Sequence, residues 1–288
     1  MNFKKTISLY LYDGNPNDRW NCELSNWTGI AYKIPRNQVK NEDRKELESP
    51  GVYFLFGEDE NEGKPSIYVG QAEKPIRRLK EHLDKKDNWN EVIVFTRKDS
   101  NLNKADIKYL EYKFHSIAKE INRYKVDNTN TPTEPTLPES KIEELKEYVF
   151  YAKILVNILG HKVFNEYTEK STGEKKGNTI FCLSVGGCDA KGTPTSDGFV
   201  VLKGSRINEK AANSLPERIS DRVEESRKNG LIKDNILKED VLFSSSSSAA
   251  GFASGYNLSG PTSWKNKDGK TLKLFEMGES KEAKTKKS

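Results

Sequence analysis

The chain has 288 residues, more than a single hydrophobic core usually serves, so one core plus a second, smaller unit is expected. Hydrophobic residues make up 34% and charged residues 32%, enough apolar material for real cores under a heavily charged surface, and no apolar run nears the roughly 20 residues of a membrane-spanning helix. A net charge of +5 identifies no nucleic-acid partner by itself, and three cysteines without zinc spacing exclude a disulfide framework.

Met1 to Tyr12 lacks the apolar stretch and cleavage site of a signal peptide, so a cytoplasmic protein with reduced thiols at Cys22, Cys182 and Cys188 is expected. Thr6 to Tyr12 is rich in β-forming residues and ends at the turn cluster Asp13-Gly14-Asn15-Pro16, which predicts a strand; Gly29 to Ile34 predicts another. Pro50-Gly51 introduces Val52 to Phe56, a charged loop follows from Gly57 to Lys64, and Ser66 to Gly70 resumes the extended pattern, so the segment reads as a hairpin with a long tip. Pro75 suits a first helical turn, with Ile76, Leu79 and Leu83 at helical spacing. Val92 to Thr96 reads as a buried strand. The strongest helix starts at Asn103, a suitable N-cap, and lines up Ile107, Leu110, Phe114, Ile117 and Ile121.

From Lys125 to Glu139 the chain is rich in Asn, Thr and Pro, the composition of an extended connector, before a helix over about Ser140 to Leu159. Strands at Thr179 to Val185 and Gly198 to Leu202, and a charged helix near Glu217 to Lys228 stopped by Gly230, predict a small α+β module. The serine run Ser244 to Ser248 leads directly into Ala249, Ala250, Phe252 and Ala253, so a short serine-capped helix is preferred to a linker. The expected divisions are an N-terminal β-rich extension (1–48), a core (49–130), a connector with a helix (131–160), a C-terminal accessory domain (161–278) and a disordered tail (279–288).

Phosphodiester hydrolysis needs a base for water, a cation for the phosphate and usually a metal held by a carboxylate. Candidates for each fall within the core. Alternation along the hairpin sets Tyr53 opposite the side formed by Val52, Phe54 and Phe56; Tyr68 lies on the partner strand, and Gly70 ends it, where a phosphate or loop could approach the backbone. Arg78 and His82, at i and i+4, share a helix face, whereas Arg77 pairs with Glu81 as an exposed ion pair. Glu111 lies roughly 40° around its helix from Ile107, on the border of the core stripe, where a carboxylate needs a metal, an arginine or a hydrogen-bond network. A single Mg²⁺ retaining its waters suits one carboxylate better than a closed protein cage. His115 and His161 have no partner pattern and read as structural or exposed; Trp20, Trp27 and Trp264 read as core aromatics ahead of base-stacking platforms.

Gly51-Val52-Tyr53 and Tyr68-Val69-Gly70, followed by Arg78, His82 and Glu111, resemble the GIY-YIG nuclease superfamily, with valine for isoleucine in both name motifs. The resemblance covers roughly Ser49 to Asn128 and implies an α+β fold with a small mixed sheet flanked by helices. It further implies one of the two tyrosines as general base or water positioner, Arg78 on the phosphate, Glu111 on Mg²⁺ or Mn²⁺, and His82 assisting the phosphate or leaving oxygen. The family's later asparagine falls at Asn122 or Asn128, and Gly70, Gln71 and Asn128 are the substrate-binding candidates, Gln71 standing where some members have lysine. The loop carrying Glu58, Asp59, Glu60 and Glu62 is longer and more acidic than in compact members and is expected to point away from substrate. The stretch from Asp240-Val241-Leu242-Phe243 through Gly251-Phe252 to Trp264-Lys265 and Asp268-Gly269-Lys270-Thr271-Leu272 is similar to a C-terminal domain of unknown function that accompanies GIY-YIG domains in bacterial proteins. The implied activity is a metal-dependent endonuclease on nucleic acid, DNA ahead of RNA, in defence or mobile-element biology. The C-terminal domain would meet substrate or a protein partner, with Lys203, Arg206, Lys265 and Lys267 as phosphate contacts and no role for a membrane. The alternative is an accessory module that keeps the fold and binds nucleic acid without cutting it.

Overall fold

A hairpin whose two strands alternate apolar side chains above and below can be buried on both faces only if helices cover each, and the computed structural model shows this arrangement. It describes residues 4–59, 64–166 and 179–285. The chain divides into two compact units, Met1–Asn165 and Glu166–Ser288.

In the first unit β1 (Ile7–Leu11), β2 (Trp20–Leu24) and β3 (Gly29–Pro35) lead through two 3-10 turns, Arg36–Asn41 and Lys45–Glu48, to the hairpin β4 (Gly51–Glu58) and β5 (Pro65–Ala72). Helix α1 (Pro75–Lys85), β6 (Glu91–Arg97), α2 (Lys104–Ile121), β7 (Lys125–Val126) and α3 (Glu139–Ile158) follow. The seven strands form one mixed sheet in the order β1-β2-β3-β6-β4-β5-β7, antiparallel except where β7 runs parallel to β5. The sheet is larger than the small one expected because the first 48 residues add three strands to it, joined through β3 and β6. Strand β2 has no clear alternation in sequence; its pairing with β1 and β3 on either side holds it extended.

One sheet face presents Val52, Phe54, Phe56, Ile67, Val69 and Phe95 to the apolar stripes of α2 and α3. The other presents Tyr32, Ile34, Tyr53, Leu55 and Val94 to α1 and to Val39 and Leu47 of the 3-10 turns. Asn103 caps α2 as expected: its side chain accepts from the Ala105 and Asp106 amides, and Asp106 closes the capping box.

The second unit contains β8 (Phe181–Val185), β9 (Cys188–Thr195), β10 (Gly198–Val201), α4 (Glu217–Lys228), β11 (Ile232–Lys233), β12 (Ile236–Leu237), β13 (Val241–Phe243), α5 (Ser246–Ser254), α6 (Gly260–Ser263), β14 (Lys265–Asn266) and α7 (Leu272–Thr285). Its main sheet has the order β13-β10-β9-β8-β14 and packs on α5 through Ala249, Ala250, Phe252 and Ala253. The serine run starts a helix, with Ser245 Oγ accepting from the Ser248 amide at 3.1 Å. Trp264 is fully buried and donates to the Ser246 carbonyl at 2.9 Å. Of the tail expected to be disordered at 279–288, residues 279–285 belong to α7, which runs to Thr285, and 286–288 lie outside the described residues. Lack of apolar residues removes packing, but Glu, Lys and Ala are strong helix formers and propagate a helix already nucleated.

Phe54 is fully buried between Phe95, Phe114 and Phe164, with ring centroids 5.8, 4.9 and 5.2 Å away. Phe54→Ala is expected to destabilise the first unit by about 3–5 kcal/mol in urea denaturation followed by tryptophan fluorescence. A loss below about 1 kcal/mol would show that this face is not close-packed.

Candidate functional site

Tyr53 on β4 pairs directly with Gly70 on β5. A Cβ at position 70 would lie 2.5 Å from Tyr53 Oη and 2.7 Å from its Cε2, so the phenol ring occupies the volume that any other residue would need. Tyr53 is thereby carried across β5 and is only 1% exposed. Tyr68, two residues before Gly70 and on the same face, is half-buried with its ring centroid 6.3 Å from that of Tyr53.

From α1, His82 reaches under both phenols. A 2.8 Å hydrogen bond joins its Nε2 to Tyr53 Oη, its ring lies 5.5 Å from that of Tyr68, and its Nδ1 is buried without a partner. Burial, then the Arg78 and Lys86 charges, push the imidazole down to about 4, so His82 is neutral at pH 7. Burial also raises both phenols, while the nearby Arg78 cation pulls them back. Arg78 itself sits on the more exposed rim with Nη1 2.7 Å from Glu81. The ion pair expected between Arg77 and Glu81 is not formed: Glu81 takes Arg78 at i+3, and Arg77 Nε lies 3.6 Å from Glu48 on the second 3-10 turn. Lys86, absent from the candidates drawn from sequence, places its Nζ 4.2 Å from the Tyr68 ring centroid. Its signal was present, because Arg78, His82 and Lys86 recur at i, i+4 and i+8.

Glu111 approaches from α2. It is half-buried and has no hydrogen-bond or ion-pair partner among the described residues; burial pushes its carboxyl up to about 7 against the opposing pull of Lys108. Its charge raises both phenols, so the carboxylate and the Arg78 guanidinium act on Tyr53 and Tyr68 from opposite sides of the balance. Among the described residues no cluster of three or more His, Cys, Asp or Glu could cage a metal. A lone carboxylate that burial holds near neutrality fits a hard divalent ion that keeps most of its shell as water and substrate oxygens.

The remaining candidates are placed differently. Asn128 accepts from the Val69 amide at 3.0 Å and donates to the Val69 carbonyl at 2.7 Å, so its amide continues the edge of β5. Asn122 is the left-handed cap of α2 (φ 53°). Gln71 is half-buried and, by strand alternation, belongs with Val69 on the face covered by α2 and not with Tyr68. Asp59 is buried and ion-paired to Lys125 of β7; Glu60 and Glu62 of the acidic loop lie outside the described residues. His161 stacks on Phe56 at 3.5 Å and pairs with Glu91, and His115 is buried, both structural. Trp27 packs on Tyr148 at 4.9 Å.

In the second unit Lys203, Arg206, Lys265 and Lys267 are all exposed. A family model described as a domain of unknown function (DUF4357) matches residues 180–276, wholly within this unit. No curated protein and no solved structure matches the chain. Among the described residues no helix is long and apolar enough to cross a membrane.

Two outcomes follow from the contacts and the shifts. Gly70→Ala must displace the Tyr53 ring, and is expected to destabilise the unit by about 1–3 kcal/mol and to break the Tyr53–His82 hydrogen bond, read as a rise in the His82 pKa by NMR titration. An unchanged His82 titration would contradict the geometry. For Glu111, the folded value of about 7 lies above the ordinary 4.5, so the folded state holds this proton longer and stability falls as pH rises from 4.5 to 7. His82 runs the other way: its contribution is whole above its ordinary 6.5 and is lost as pH falls towards 4. Glu111→Gln is therefore expected to be about 1 kcal/mol more stable than wild type at pH 8 without metal, after solvent screening, and equal to it at pH 4. Equal denaturation midpoints at both pH values would contradict the shift.

Proposed function

We propose that the first unit is a GIY-YIG-type nuclease that hydrolyses phosphodiester bonds in nucleic acid, DNA ahead of RNA, using a divalent metal. The observation that carries this reading is the meeting of Tyr53, Tyr68, His82 and Arg78 at the end of β5 with the unpartnered carboxylate of Glu111, whose charge both phenols feel. When bound at Glu111, Mg²⁺ or Mn²⁺ supplies positive charge to the phosphate and acidifies a water.

The chain's own residues then have separate tasks. Arg78, on the exposed rim, neutralises charge that develops on the phosphate oxygens, exchanging Glu81 for substrate. Tyr68 is the accessible phenol and orients the attacking water, with Lys86 over its ring adding positive charge. Tyr53 is too buried to meet a phosphate; it is a positioning residue that fixes Tyr68 and links the site to neutral His82, a proton acceptor at the buried end. This assignment separates the two tyrosines by exposure. The second unit offers exposed lysines and an arginine that would hold the backbone of the substrate without reading its bases.

The test is incubation of purified protein with single- and double-stranded DNA and RNA, with Mg²⁺ or Mn²⁺ and with chelator. Cleavage is expected only with metal, and Arg78→Ala and Glu111→Ala are each expected to lower its rate by about 10²-fold or more. Binding without cleavage under every condition would favour the non-cutting accessory module, and identical behaviour of wild type and both variants would remove the nuclease reading.

A further inference from the structure

Helix α2 carries Glu111, His115 and Lys119 at i, i+4 and i+8, so one row of side chains runs from the proposed metal ligand towards the helix C-terminus. At 1.5 Å per residue, Lys119 stands about 12 Å along the helix from Glu111. Asn122 then takes the left-handed conformation (φ 53°) and turns the chain into β7, which returns Arg123 and Lys125 beside Lys119. Strand β7 runs parallel to β5 with Lys125 paired to Ser66, and this brings Lys64 to the same place.

These basic residues border a cavity of about 350 Å³, within the range of small-ligand sites. Among the described residues none of those bordering it is acidic. Lys125 is answered by Asp59, which lies outside the lining, and Lys64, Lys119 and Arg123 add further positive charge. Lys119 is exposed and makes no ion pair among the described residues. His115 also borders the cavity; burial, then the Lys119 charge, push its imidazole down, the sign expected where positive charge collects. A concavity of one sign gathers counter-ions, and lysine with arginine suits phosphate oxygens in particular.

The cavity is continuous with the phenol cluster. Asn128 borders it, and its side chain holds both the amide and the carbonyl of Val69, the residue between Tyr68 and Gly70. The cavity and the proposed catalytic groups therefore lie along one edge of β5. A small anion would occupy one of the two places, whereas a polymer with a negative charge at every unit occupies both.

We propose that this cavity holds a backbone phosphate of the strand that is cut, a few nucleotides from the scissile bond, with Lys119 and Arg123 as its principal partners. The identity of the ligand rests on the nuclease reading of the first unit; the cavity and its charge do not. Contacts of this kind fix the register of the strand on the protein without reading its bases. They would lead the strand along α2 and past Glu111.

The test measures binding of the full chain to a fluorescent DNA oligonucleotide in chelator over a range of salt. Wild type is compared with Lys119→Ala, Arg123→Ala and Lys119→Arg, and circular dichroism reports that each is folded. Each alanine variant should weaken binding roughly fivefold at about 50 mM salt and lower the slope of log affinity against log salt by about one, whatever the base sequence. Lys119→Arg should keep wild-type affinity. A single uncharged methylphosphonate linkage, moved one position at a time, then locates the contact. One position, a few nucleotides from the cut mapped with metal, should weaken wild type and leave Lys119→Ala unaffected. Alanine variants that bind as wild type does, or the absence of any linkage whose effect is lost in Lys119→Ala, overturns the proposal. So does a shift of the His115 resonances by inorganic phosphate at constant ionic strength with no effect of any neutral linkage, because the cavity then takes a free anion. If the protein cuts DNA and the variants bind normally, only the cavity reading fails. Lys119-dependent binding at one linkage without cleavage keeps the phosphate contact and removes the nuclease reading. If nucleic acid is neither bound nor cut, both fail.

Discussion

The ring of Tyr53 crosses β5 where Gly70 leaves no side chain, and the geometry of the phenol cluster depends on that contact. Because the phenol fits into this gap, its hydroxyl reaches His82 of α1 and its ring sets the position of Tyr68. A strand glycine ordinarily weakens a sheet. Here it converts a cross-strand pair into a buried hydrogen bond between the sheet and a helix. Gly51, at the start of β4, has a related duty, since a Cβ there would lie 2.4 Å from the Phe95 carbonyl oxygen.

Burial then sets the electrostatics. His82, the two phenols and Glu111 are all shifted towards their neutral forms, three of them by the same desolvation that packs the hairpin under α1 and the fourth at the border of the α2 stripe. A site prepared in this way has little fixed charge apart from Arg78 and Lys86, and a carboxylate near neutrality gains from any cation placed beside it. The sheet that provides this low-dielectric setting has helices over both faces, so the first three strands, which add no residue to the phenol cluster, still form part of its wall through Tyr32 of β3, paired with Val94 of β6.

Much of the first unit was legible in the sequence. The hairpin, the Pro75 start of α1, the Asn103 cap and the stripe of α2 are local signals, written in alternation, in helical spacing and in capping residues, and the i, i+4 relation already joined Arg78 to His82. The serine run of α5 was legible for the same reason: Ser245 caps it and the alanines behind it must be buried. Strand β2 and the two-residue β7 were not, since neither has a pattern of its own and each is extended only because a neighbouring strand pairs with it. The helical continuation of α7 was concealed by reading a lack of apolar residues as a lack of structure.

The sequence by itself determined which residue types lie on which face of each strand and helix, because side-chain periodicity depends only on backbone geometry. It placed Arg78 with His82 on one helix face and Glu111 at the border of its stripe for that reason, while the grouping of these with Tyr53, Tyr68 and Gly70 came from the resemblance in their order along the chain. Only the tertiary structure decided which groups are spent and which are open: Asn128 on the Val69 backbone, Glu81 on Arg78, and Tyr53 under cover with Tyr68 accessible. Those outcomes turn on burial and on partners distant in the chain, and no local spacing encodes either.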